Sequence, residues 1–308
     1  MRKIMSFIML IALLLTTSSC NIKKYYVTYV FNNGEANQIE KVGKYLEDIP
    51  SPEKQKYIFE GWYLDEELST PFDITKRLTG DITLYAKYDI DKDYFVEYIN
   101  NNILSSFLTV SSFIFESPDS AFVSTNSRAS GVIIKKTGNK YYFLTNKHTL
   151  LFLPDVHYQC ISLIGKSYTC ELVSYDAKYD LALLTFETAD ELAYINIAKA
   201  NPSINDDVIA IGNPNNQKQV ITFGNVTDYT IVPTTSFNTD DSNIDFETIK
   251  HTAEIAKGSS GGPLLNTSLE LVGINYATGT GATTGKFISG HAIPQEKIYE
   301  FLFKYFKL

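Results

Sequence analysis

The sequence has few of the residues that build several common kinds of protein. Its 308 residues include 3 Cys, 1 Trp, 4 His and 3 Met. Three cysteines exclude a disulfide scaffold, so the core must come from apolar burial. The 21 Tyr and 19 Phe supply ample area for that. Basic charge is scarce too, with 27 Lys+Arg against 35 Asp+Glu and a formal net charge of -8. A nucleic-acid partner is therefore not expected, since it needs a basic face. No Cys/His cluster has metal-ligand spacing, so neither zinc nor any other cofactor is expected. Thr278-Gly279-Thr280-Gly281 lacks a Gly-Lys-Ser/Thr ending and a following helix, and reads as a surface loop rather than a phosphate cradle. With 44% hydrophobic and 20% charged residues the composition is that of a globular chain, and its length suits about two domains.

The first twenty residues read as an address. Arg2 and Lys3 precede an apolar run from Ile4 to Leu15, broken only by Ser6. That run is short for a bilayer span and suits the apolar segment of a signal peptide over 1–19. Thr17-Ser18-Ser19 then leads to Cys20. Small residues ending in Cys resemble a bacterial lipobox, although Thr17 stands where that pattern usually has Leu. The resemblance implies lipidation of Cys20 and a tether over 20–24. Ordinary secretion and an uncleaved anchor are the alternatives. All three place the chain outside the cytoplasm, and the lipoprotein reading puts it on the outer face of a bacterial cell membrane.

A small module is expected over 25–89. Tyr25 to Phe31 is β-branched and aromatic and reads as a strand, with Asn32-Asn33-Gly34 as a turn after it. Pro50-Ser51-Pro52 opens a loop before Tyr57-Ile58-Phe59-Glu60-Gly61-Trp62-Tyr63. Asp81 to Tyr88 closes the module as another strand. This order resembles the B-repeat of Listeria internalins and related bacterial surface proteins. The resemblance implies a small β-grasp fold whose Trp62 is a core residue, and says little about chemistry. Residues 90–102 have apolar positions at helical spacing behind a candidate Asp cap, which predicts a short linking helix.

From about residue 103 to 308 the chain alternates short apolar runs with polar turns. Examples are Gly131–Ile134, Tyr141–Thr145, Leu181–Leu184, Val208–Gly212 and Leu271–Ile274. Without long helical patterns between them, these suggest an all-β barrel or sandwich, with length enough for two six-stranded barrels. Three segments carry chemistry. Thr145-Asn146-Lys147-His148 ends a strand, Asp180 opens an apolar strand, and Gly258-Ser259-Ser260-Gly261-Gly262-Pro263 is a tight turn around a serine. The order His, Asp, Ser is one in which an activated serine is built. A serine hydroxyl needs an adjacent base, the base needs an orienting acid, and the oxyanion needs backbone N–H donors. His157, His251 and His291 compete for the base but lack the strand-end setting. Asp176 competes for the acid.

The chain is similar here to the trypsin-like serine peptidases, and within them to the HtrA/Deg group. The matching segments are His148 in its strand end, Asp180-Leu181-Ala182, Ile211-Gly212-Asn213-Pro214, Thr222-Phe223-Gly224-Asn225-Val226, the Ser260 turn and Ala292-Ile293-Pro294. The resemblance implies a mostly β, chymotrypsin-like double β-barrel. It implies His148, Asp180 and Ser260 as a catalytic triad, with the Gly258 and Ser260 N–H groups as the oxyanion hole. Ser259 departs from the usual Asn or Asp, and Thr149 from the common Val. The match runs close to Leu308, so no regulatory PDZ module is expected, and Lys297–Leu308 reads as a closing amphipathic helix.

Specificity is less legible. By the resemblance the substrate pocket is walled by the segment before Ser260, by Gly273–Thr278 and by Gly290–Pro294, which brings in Glu254, Asn275 and His291. Glu254 could favour a basic side chain, point to solvent or pair with His291. Glutamyl endopeptidases of the V8 type have His where Asn275 stands, which argues against cleavage after Glu. Cys160 and Cys170 flank Gly165 symmetrically in an expected hairpin, nearly opposite each other, either bonded or as free thiols. The resulting expectation is an exported serine endopeptidase that acts on proteins or peptides, is anchored to the membrane at Cys20, and is of open oligomeric state. The alternative is a surface adhesin or binding protein with a silent peptidase fold.

Overall fold

The computed structural model describes residues 23–115, 123–213, 219–232, 244–281 and 283–306. The expected signal segment and Cys20 lie outside the described residues. The chain divides into two compact units at Asp91/Lys92.

The first unit is a mixed sheet of four strands, β1 (Tyr25–Val30), β2 (Gln38–Val42), β3 (Tyr57–Tyr63) and β4 (Ile82–Ile90), in the order β2-β1-β4-β3. β1 and β4 run parallel with Val27 opposite Ile82, as a β-grasp sheet requires. Alternation on β1 buries Tyr25, Val27 and Tyr29. They meet Trp62, whose ring lies 5.1 Å from Tyr29 and 5.6 Å from Phe59. Its indole N–H donates to the Pro50 carbonyl at 2.8 Å. Trp62 is thus the hub of a small core, with its one polar atom satisfied. Among its described residues this unit contains no helix.

The second unit begins with a helical segment where a helix was expected over 90–102. α1 (Lys92–Tyr98) runs into a π turn at Ile99–Ile103. Phe95 and Ile99 are fully buried, and Phe95 lies against Phe223.

Two closed six-stranded antiparallel barrels follow. The first holds β5 (Phe107–Phe115), β6 (Val123–Thr137), β7 (Lys140–Asn146), β8 (His157–Ile161), β9 (Ser167–Asp176) and β10 (Leu181–Glu187). The second holds β11 (Asp207–Gly212), β12 (Val220–Thr230), β13 (Thr248–His251), β14 (Pro263–Leu265), β15 (Leu271–Thr280) and β16 (Phe287–Pro294). β10 is buried along nearly its whole length, with Ala182, Leu184 and Phe186 in the interior cluster of its barrel. Both faces of the strand are covered, which is why its sequence is a continuous apolar run rather than an alternation. The closing helix α2 spans Gln295–Leu302 and buries Ile298, Phe301 and Leu302. It starts and stops earlier than the Lys297–Leu308 read from the sequence.

The cysteine hairpin differs from expectation in register. Tyr158 pairs with Cys170 and Cys160 with Tyr168, so the thiols are diagonal rather than opposite. A slip of two residues keeps both on one face. Their sulfurs are 2.8 Å apart, both thiols are buried, and both are free. Burial pushes the Cys160 thiol well above its usual pKa.

Candidate active site

β7 and β10 are neighbours, with Leu181 opposite Asn146. That register puts Asp180, at the mouth of β10, beside the 3₁₀ turn Lys147–Thr149 that ends β7. Asp180 has φ +50°, a left-handed conformation that Asp tolerates better than most residues. Its carbonyl accepts from Lys147 N and from Asn146 Nδ2, both at 3.0 Å. Its carboxylate is fully buried and engages one residue with both oxygens. Oδ1 accepts from His148 N at 2.9 Å, and Oδ2 lies 2.6 Å from His148 Nδ1. A carboxylate only accepts, so Nδ1 carries a proton, and in the neutral ring this leaves the lone pair on Nε2.

The serine turn is shaped by its glycines. Gly258 has φ +102° and Gly261 φ +83°, conformations that side chains with a Cβ resist. A Cβ on Gly261 would stand 2.2 Å from Thr145 Oγ1, 2.1 Å from the Ser130 carbonyl and 3.2 Å from Asn146 N. The turn is therefore built directly against the end of β7, two residues before His148. Ser259 N donates to Ala256 O, Gly261 N to Asn275 O and Gly262 N to Ser259 O. Among the described residues the Gly258 and Ser260 N–H groups have no partner. The Ser260 hydroxyl donates to the Tyr276 carbonyl over a long 3.4 Å, and no hydrogen bond joins it to His148.

The residues named for the pocket divide. Glu254 is exposed, and among the described residues its carboxylate forms no ion pair. It does not pair with His291, whose Nε2 lies 3.1 Å from Ser289 Oγ. Asn275 is fully buried, with Oδ1 3.0 Å from His251 Nε2 and Nδ2 donating to Pro263 O. His251, weighed from the sequence only as a rival base, is wholly buried at the end of β13. Ser130 was not singled out from the sequence, where its signal was only a Ser-Gly pair ahead of Val132-Ile133-Ile134.

His251 and His291 make the folded state acid-sensitive. Burial holds both imidazoles down from 6.5 to about 4, and the nearby Lys250 adds to this at His291. Below pH 6.5 the unfolded chain takes up protons that the folded chain refuses. Stability is therefore complete above 6.5 and falls as the pH drops toward 4, on the order of a few kcal/mol for His251. Thermal unfolding of the wild type should weaken more steeply between pH 7 and pH 4.5 than that of His251→Gln. Parallel profiles would remove His251 as the cause.

Comparison with known proteins places these features. Residues 129–274 match the family model for a trypsin-like peptidase domain, and residues 25–87 that for a Listeria-Bacteroides repeat domain. A "probable periplasmic serine endoprotease DegP-like" of Chlamydia trachomatis is 32% identical over 170 residues, covering 54% of this chain and 31% of the relative. The "serine protease Do-like HtrA" of Bacillus subtilis is 33% identical over 163 residues, covering 52% and 35%. The "periplasmic pH-dependent serine endoprotease DegQ" of Escherichia coli is 32% identical over 161 residues, covering 52% and 33%. The chain thus spans about a third of the length of these curated relatives. It carries a trypsin-like peptidase domain of HtrA/DegP-like kinship behind a Listeria-Bacteroides repeat domain.

Proposed function

We propose that the chain is an exported serine endopeptidase that cleaves proteins or peptides through an acyl-enzyme. The observation that carries this reading is the buried Asp180 carboxylate, which accepts from both N–H groups of His148 beside the Ser260 turn. His148 Nε2 takes the Ser260 proton as the hydroxyl attacks the scissile carbonyl, and later delivers it to the leaving amine. Asp180 favours the imidazolium formed in between. The unpartnered Gly258 and Ser260 N–H groups receive the oxyanion. The long bond to Tyr276 is weak, so the Ser260 hydroxyl can leave it for His148; such contacts are often loose without substrate. The test is a fluorophosphonate probe followed by mass spectrometry. A phosphonyl adduct on Ser260 supports the reading. A folded protein without one is a silent binding protein instead.

We further propose export with a lipid on Cys20 and oxidation of the Cys160/Cys170 pair by a disulfide-donating oxidant outside the cytoplasm, which takes up the two electrons and two protons that the thiols give up as the S–S bond forms. Bringing the sulfurs to about 2.05 Å needs only a small shift from their present approach. Mass spectrometry of protein extracted from membranes without reductant should find a lipidated N-terminal Cys20 and a linked hairpin peptide. An unmodified Cys20 would refute the anchor, and two alkylatable thiols would refute the bond.

A further inference from the structure

Ser130 lies in β6 of the first barrel and is 3% exposed. All its polar groups are in use. Its N–H donates to the Ser260 carbonyl at 2.9 Å, and its own carbonyl accepts from Thr145 Oγ1 at 2.8 Å. Its hydroxyl donates to the Gly258 carbonyl at 2.7 Å and accepts from Asn213 N at 2.9 Å. One side chain in the first barrel therefore ties together the end of β11 and the serine turn of the second.

The turn itself explains why that matters. The peptide joining Gly258 to Ser259 is held at both edges, its carbonyl by Ser130 Oγ and its N–H by Ala256 O. The N–H groups of Gly258 and Ser260 lie on either side of this peptide and have no partner of their own among the described residues. The Ser260 N–H is also steadied through its own peptide, whose Ser259 carbonyl accepts from Gly262 N, whereas the Lys257 carbonyl on the peptide that carries the Gly258 N–H has no partner among the described residues. The direction of the Gly258 N–H therefore depends most on the fixed Gly258–Ser259 peptide. Gly258, at φ +102°, has no Cβ to resist rotation. Without the Ser130 hydroxyl the Gly258 carbonyl is released, and the buried Asn213 N–H loses its acceptor.

We propose that Ser130 is a positioning residue that aims the Gly258 donor of the oxyanion hole, and so acts on transition-state stabilisation rather than on substrate binding. This rests on the reading of Ser260 as the nucleophile. Ser130 makes no hydrogen bond to His148 or Asp180, so it leaves the base alone. Loss of a whole oxyanion donor lowers kcat by about 10²–10³. An indirect partner should have a smaller effect, roughly tenfold to a hundredfold.

The experiment compares wild type, Ser130→Ala and Ser130→Thr, with kcat expressed per probe-titrated active site. Ser130→Ala should lose roughly tenfold to a hundredfold in kcat with KM within about twofold. Affinity for a peptide aldehyde, whose adduct places an oxyanion in the hole, should fall by a similar factor. The midpoint of the acidic limb of kcat/KM should stay in place, and Ser130→Thr, which restores the hydroxyl, should recover much of the rate. Normalising to titrated sites keeps the comparison valid if a variant folds poorly. An unchanged kcat per titrated site with only a lowered melting temperature would reduce Ser130 to inter-barrel glue and overturn the proposal. A wild type that the probe does not label sinks the peptidase reading, and this proposal with it. A labelled wild type beside an equally fast Ser130→Ala sinks this proposal alone.

Discussion

Replacing Ser260 with Ala is expected to lower kcat by about six orders of magnitude, the loss seen when a serine nucleophile is removed from an intact triad. Without Oγ no acyl-enzyme forms, and His148 has no hydroxyl to deprotonate. The fold should barely notice. Ser260 Oγ contributes one 3.4 Å contact to Tyr276, and the hydrogen bonds that shape the turn come from the main chain, from Ser130 and from the Ser259 hydroxyl. The melting temperature should stay within about 2 °C, and the fluorophosphonate adduct should vanish. A variant that keeps a tenth of the wild-type rate would move the nucleophile elsewhere.

Asp180→Asn should be the second most damaging change, lowering kcat by about 10⁴ with little change in shape. The carboxylate accepts from two donors on one residue, the main-chain N–H and the Nδ1–H of His148. An amide has one oxygen and one NH₂, so it can satisfy only one of them as an acceptor. If its oxygen stays on the main-chain N–H, its NH₂ faces Nδ1 and forces that nitrogen to accept. The ring proton then moves to Nε2, and the lone pair needed for Ser260 is lost. Steady-state kinetics with circular dichroism as a control decides it. A loss smaller than tenfold would show that His148 keeps its tautomer without Asp180.

The barrel strands and the helical elements were legible because burial writes itself into local patterns. Leu181–Leu184 is apolar throughout since both faces of β10 are covered. Tyr25–Val30 was legible from its β-branched and aromatic content, while its alternating burial comes from the sheet having one covered face. His148 and Asp180 could be nominated from strand ends, but their 2.6 Å approach depends on Leu181 pairing with Asn146, a register that no local pattern states. Cys160 and Cys170 were misplaced by two residues for the same reason. The turn Ser162–Lys166 closes on the bond from Ser162 N to Lys166 O, which moves the hairpin centre off Gly165. Glu254 and His251 lie three residues apart, one exposed and one fully buried. His251 is covered by β16 and β15, strands far along the chain.

The open four-stranded sheet of the first unit differs from the two barrels in one respect that bears on solution behaviour. Closed barrels offer no strand edge, whereas the order β2-β1-β4-β3 leaves two. Unguarded edges invite strand addition from neighbouring molecules and, in time, aggregation. Both edges here are blunted. β2 is short and carries Glu40 and Lys41 side by side, exposed to water. β3 breaks register between Phe59 and Gly61, where Gly61 takes φ +143° and interrupts a flat row of amides. The module can thus expose its sheet without offering a template to its own kind.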